Sequence, residues 1–236
     1  MLNNRLASIR TPWTDIVRMR DSSPESRARL LEMMAEKYYE PVRVFIRTVS
    51  GHSQPADIDD RTQMFFQKFL EKDWLGMLDR EKGSFRGFLM TAVRSFILDR
   101  KEHEGRKIEA NKRYAEHIHH EYEKVSPAAQ AEVEYNRAWA RGLVKDAIEV
   151  FREECLDRGK AHYYEVFEQQ LFHPEKYDSP SYLETAQSLN ISEKDVANCL
   201  HRGKKHINAL LRELVRNSVL TDEEVDGEMQ VLRSYF

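Results

Sequence analysis

The sequence predicts an all-α protein made of two helical modules joined by a polar linker. Three observations lead there. Apolar residues recur at three- and four-residue spacing through most of the chain, the period of an amphipathic helix. Only nine glycines and seven prolines punctuate 236 residues, too few for a many-turned sheet protein. Between Glu102 and Glu134 the apolar content falls and charges dominate, which separates two stretches of clear period. The expected boundaries are an N-terminal extension at 1–26, a first module at 27–105, a linker at 106–135, a second module at 136–216 and an acidic amphipathic tail helix at 217–236.

The elements follow in order. Leu30, Met34, Tyr38, Val42, Phe45 and Val49 form one stripe, with Pro41 inside it as a kink or break. Gly51 to Gln54 is a turn, and a helix starting near Pro55 buries Ile58, Phe65, Phe66, Phe69 and Leu70. Trp74 to Gly83 reads as a loop. Ser84 can cap a third helix, whose stripe of Phe85, Phe88, Leu89, Ala92, Val93, Phe96 and Ile97 is the cleanest in the chain. After the linker a new stripe runs through Trp139, Leu143, Ala147, Ile148, Phe151 and Cys155, followed by a short helix around Tyr163, Phe167 and Leu171. Ser181 to Glu184 is a capping box that opens a short helix ending at Asn190, a residue that tolerates the left-handed conformation. Ser192 caps the next helix, which buries Val196, Leu200, Gly203, Ile207, Leu210, Leu211 and Leu214. Thr221 to Glu224 caps the tail helix, with Val225, Met229, Leu232 and Phe236 on one face.

Composition narrows the function classes. There is no run of 18 apolar residues and no apolar core within Met1 to Arg10, so neither a membrane span nor export is expected. Cys155 and Cys199 stand far apart, which suits a reducing cytoplasm and excludes a cysteine-rich zinc site. No paired carboxylates, nucleophile–base set or glycine-rich phosphate loop is present, so no enzyme and no cofactor are expected. His117, His119, His120 and Glu121 could bind a metal, but isolated linker histidines are more often solvated, and no metal is expected.

The net charge of -3 does not by itself advertise a nucleic-acid partner, so local charge has to do so. It does in two places. Two short helices joined at Leu189-Asn190-Ile191 have the pattern of a helix-turn-helix, and Arg202, Lys204, Lys205, Arg212 and Arg216 follow with only Glu213 against them. Arg86, Arg94, Arg100, Lys101, Arg106, Lys107, Lys112 and Arg113 accompany the Phe-rich third helix, a combination suited to single-stranded DNA. Phe85, Phe88 and Phe96 keep the helical period and are therefore better read as core than as stacking platforms. Asp57, Asp59 and Asp60 cluster at a helix start, where the macrodipole favours acids.

These segments resemble a known family. Asp57 to Leu70 (DIDDRTQMFFQKFL) resembles the polymerase-binding helix of extracytoplasmic-function sigma factors. Gly83 to Asp99 (GSFRGFLMTAVRSFILD) is similar to their promoter -10 helix, and Ser181 to Leu211 to their -35-reading helix-turn-helix. The resemblance spans about Ala28 to Arg216, and Trp13 with Tyr38-Tyr39-Glu40-Pro41 resembles a subgroup frequent in planctomycetes and myxobacteria. It implies that Asp57, Asp59, Asp60, Gln63 and Phe66 help dock on the clamp helices of core RNA polymerase. Phe85, Arg86, Arg94, Arg100 and Lys101 would belong to the segment that melts and captures the -10 element. The second module would sit on the polymerase flap and read promoter DNA with Glu193, Lys194, Asn198, His201, Arg202, Lys204 and Lys205. The acidic linker would thread toward the RNA exit path.

Three departures bear on promoter sequence. Cys199 stands where the family usually has arginine, a missing DNA contact. Glu193 and Asp195 place acid at the start of the recognition helix, so that it binds DNA weakly or its carboxylates accept from cytosine. Ser95 replaces a common asparagine. An anti-sigma factor or a regulatory kinase is a further expected partner, and a phosphate on Thr62 would alter the docking charge. Two other readings stay open: a sigma-like decoy that binds an anti-sigma partner, and a helix-turn-helix repressor that never touches polymerase. The tail helix is expected to pack on a module or a partner, with its acids repelling DNA.

Overall fold

Three of the helices begin on proline, at Pro24, Pro55 and Pro127. At the first helical position the missing N–H costs nothing and the fixed φ is already helical. In a computed structural model, which describes residues 24–51, 54–71, 84–111, 127–171, 180–219 and 221–236, the described residues form eight α-helices and no strand. They are α1 (Pro24–Ser50), α2 (Pro55–Glu71), α3 (Phe85–Asn111), α4 (Pro127–Asp157), α5 (Ala161–Leu171), α6 (Tyr182–Leu189), α7 (Glu193–Arg216) and α8 (Asp222–Arg233). The all-α expectation is met. Among the described residues no helix is long and apolar enough to cross a membrane.

The described residues divide into two compact units, one of 24–141 with 217–236 and one of 142–216. The division falls inside α4. The first unit is an aromatic core: Phe45, Phe65, Phe69, Phe85 and Phe96 are all at or below 2% exposure. Phe65 meets Phe96 edge-on at 5.6 Å, and Tyr38 meets Phe85 edge-on at 5.0 Å, the geometry that ring quadrupoles favour. Each such side chain contributes about 1.5–3 kcal/mol by leaving water. Pro41 does not break α1, which runs through it to Ser50. Ser84 caps α3 as expected, its hydroxyl accepting from the Gly87 amide at 3.2 Å.

Several expectations are corrected. Residues 127–135, assigned to the linker, are helical, and Ala131 and Tyr135 are fully buried in the first unit. The stripe Ala131, Tyr135, Trp139 has helical spacing, but alanine and tyrosine signal it weakly amid the surrounding charge. The tail, by contrast, packs on a module as expected: it belongs to the first unit, where α8 buries Val225, Met229 and Leu232. Phe236, expected on that face, is 72% exposed. The loop at Trp74 to Gly83, most of the linker, and the N-terminal extension with Trp13 lie outside the described residues.

The second unit packs α5, α6, α7 and the later half of α4 around Phe151, Val166, Phe167, Ala186, Val196, Leu200 and Leu210. Its tightest approach is at Gly203. A Cβ there would lie 2.9 Å from Phe167 Cδ2 and 3.3 Å from Phe151 Cζ, so α7 comes close only because that position has no side chain.

Candidate nucleic-acid interface

The turn between α6 and α7 is built from side chains that satisfy orphan backbone groups. Ser181 and Glu184 form the expected capping box: Glu184 N donates to Ser181 Oγ at 3.2 Å and Ser181 N to Glu184 Oε2 at 2.7 Å. These bonds hold the Glu184 carboxyl below the usual carboxylate range. Asn190 ends α6 in the left-handed conformation, φ 53 and ψ 46, as expected, and Ile191 N returns to Ala186 O at 3.0 Å.

A second box starts α7. Asp195 N donates to Ser192 Oγ at 3.1 Å, and Asp195 Oδ2 accepts from the Ser192 hydroxyl at 2.6 Å and its amide at 3.3 Å. Asp195 therefore serves as the N3 partner of a cap, and the Ser192 bonds lower its pKa. Its presence at the head of the helix is explained by backbone geometry. Cys199, read as a position on the outward face, is 3% exposed and lies within the core, so it faces inward. Burial pushes its thiol pKa up.

What remains outward on α7 is coherent. Glu193, Lys194, Asn198, His201, Arg202, Lys204 and Lys205 are all exposed. Lys194, Asn198, His201 and Lys205 follow i, i+4, i+7, i+11 spacing and so share one face, opposite buried Val196, Gly203, Ile207 and Leu210. Arg202 lies at the edge of that face and donates to the Tyr163 hydroxyl of α5 at 3.1 Å. Lys160 stands 5.6 Å over the same ring. Behind α7, His206 bonds Glu154 Oε2 at 2.6 Å and Arg158 pairs with the same oxygen at 3.5 Å, so the buried carboxylate is matched. Glu154 carried no signal in the sequence and Tyr163 only that of a short helix, since their partners are supplied by helix packing.

In the first unit the expected docking residues separate. Asp57, Asp60 and Gln63 are exposed on α2. Asp59 accepts from Arg43 Nε at 2.5 Å. Phe66 is buried and stacked on Tyr39 at 6.1 Å, so it holds α2 on α1 and is not a surface contact. Thr62 is also corrected: it has no exposure and its hydroxyl donates to Ile58 O at 2.7 Å, which puts it out of a kinase's reach in this fold.

The basic set on α3 separates too. Arg94 is exposed and pairs with Glu132 at 2.9 Å. Arg100 and Lys101 lie on α3, with side chains outside those described. Phe85 is core, at 1% exposure. Arg86, expected at DNA, is 8% exposed and bound to Glu228 of α8. Burial works against its charge, but the hydrogen bonds and charge of Glu228 more than offset that, and its pKa lies above the usual arginine value.

No family model, curated protein or solved structure matches this chain. Among the described residues no group of His, Cys, Asp and Glu could hold a metal, and the linker histidines 117, 119 and 120 lie outside them.

Proposed function

We propose that the chain is a sigma-type initiation factor that binds core RNA polymerase and directs it to promoter DNA. The observation that carries this reading is the outward face of α7. Lys194, Asn198, His201 and Lys205 offer two cations and two hydrogen-bonding side chains along one side of a helix. The left-handed turn at Asn190 ends α6 and leads within two residues into that helix. A helix so presented fits the major groove, where base edges are distinguishable, while lysines neutralise phosphate. Asp57 and Asp60 on α2 support the polymerase contact, being exposed acids on a separate unit. Glu193 is the remaining acid able to accept from a cytosine amino group.

Run-off transcription with core enzyme on a library of random promoter-length templates tests the reading. Transcripts that depend on this chain are expected, and Asp60→Arg is expected to abolish them while leaving DNA binding intact. Lys205→Ala should weaken binding uniformly and lower the salt slope by about one. Binding to DNA without any capture of polymerase would make the chain a repressor. Capture of polymerase or an anti-sigma partner without transcripts would make it a decoy.

A further inference from the structure

At the head of α3 the chain closes its own charges on one another. The Glu228 carboxylate accepts from Ser84 Oγ, Arg86 Nε and Arg86 Nη2, each at 2.8 Å. Two parallel N–H···O bonds from one guanidinium form the fork with which arginine takes carboxylate or phosphate oxygens. The rest of the socket belongs to α3 and α4. Arg86 donates to Asn136 Oδ1 and stands 5.1 Å over the Trp139 ring, and the Tyr135 hydroxyl donates to the Arg86 carbonyl at 3.2 Å. The guanidinium is thus oriented from its own side, and α8 supplies the anion.

The element that supplies it is a short helix that owes its stability to the burial of Val225, Met229 and Leu232. α8 has only 12 residues, a length that is marginal for a helix without packing. Gly227 lies in its middle, exposed, with nothing within 4 Å of where a Cβ would stand. No close approach calls for glycine there, and its backbone freedom favours the unwound state. Asp222, Glu223, Glu224 and Asp226 make the rest of α8 acidic.

We propose that α8 is a displaceable cover, its Glu228 carboxylate standing where a nucleic-acid backbone phosphate binds Arg86 and Ser84. This rests on the DNA-binding reading above and extends it to a second contact, on the first unit. A phosphate diester offers the same pair of oxygens to the fork and the serine hydroxyl. Displacement requires that the nucleic acid bind the open form more tightly than the closed one. While the cover is shut, apparent affinity falls by the fraction of open chains.

The test uses the full chain and a labelled mixed-sequence oligonucleotide, single-stranded and duplex, followed by fluorescence anisotropy. Glu228→Gln keeps the shape but removes the charge, and is expected to tighten binding about ten-fold. Gly227→Ala strengthens α8 and is expected to weaken binding about five-fold. Adding Arg86→Gln to Glu228→Gln should abolish the gain. In the wild-type chain, hydrogen exchange at α8 amides should accelerate when DNA is bound. Should Glu228→Gln fail to fold, Gly227→Ala and the exchange measurement decide the matter, since neither removes a contact. Equal DNA affinity of wild type and Gly227→Ala, with α8 protection unchanged on binding, overturns the cover and leaves the DNA-binding reading standing. No DNA binding by any variant overturns that reading and the cover with it.

Discussion

Replacing glycine by alanine inside a helix should raise stability at an open site and lower it at a closed one. This chain offers both. At Gly142, exposed in α4, nothing lies within 4 Å of a new Cβ. Gly142→Ala should therefore gain the propensity difference, about 0.5–1 kcal/mol. At Gly203 the new Cβ would sit 2.9 Å and 3.2 Å from two atoms of the Phe167 ring and 3.3 Å from Phe151. Both rings are buried, at 5% and 4% exposure, and they meet edge-on at 5.4 Å, so neither can swing away without displacing the other. Overpacking of this kind costs about 1–3 kcal/mol. Setting the propensity gain against it leaves a net loss of about 1 kcal/mol, with the two variants separated by about 2 kcal/mol. Urea unfolding followed by far-ultraviolet circular dichroism measures both. Equal stabilisation by the two substitutions would refute the close-approach argument, and with it the way α7 is seated on α4 and α5.

Two further outcomes test the turn and its caps. Asn190→Ala should destabilise by about 1 kcal/mol, because alanine lacks the short polar side chain with which asparagine tolerates the left-handed conformation at φ 53, whereas Asn190→Gly should be close to neutral; thermal melts distinguish them. Asp195 has a lowered pKa owing to its Ser192 bonds, so its contribution is present above the unfolded value and lost as pH falls through the folded one. Acid titration of α7 helicity should accordingly show a limb that Asp195→Asn flattens, and an unchanged limb would remove Asp195 from the cap.

The period of the stripes and the chemistry of the caps are local properties, and they were legible in the residues. The third helix, the box at Ser181, the turn at Asn190 and the cap at Ser84 all stand where spacing and side-chain chemistry put them. A serine or asparagine satisfies backbone groups two or three residues away, so a short string carries the information. The exposed face of α7 was legible for the same reason, since 3.6-residue geometry assigns opposite sides to Val196 and Lys194.

Direction was not legible where it depends on what another helix brings. Cys199 and Asp195 read as departures from a DNA-binding pattern until one proved to face the core and the other a backbone amide. Arg86 read as one of a basic set facing DNA. Its partner, Glu228, stands 142 residues later, and no local rule joins them. Ala131 and Tyr135 were lost in a charged stretch because their burial comes from Phe45 and its neighbours rather than from their own hydrophobicity. Local spacing and cap chemistry therefore placed most of the helices, several of their caps and the outward face of α7, but not the first turns of α4. Which charges stay outside is settled by packing, because burying a charge depends on a partner that the chain must fold to deliver.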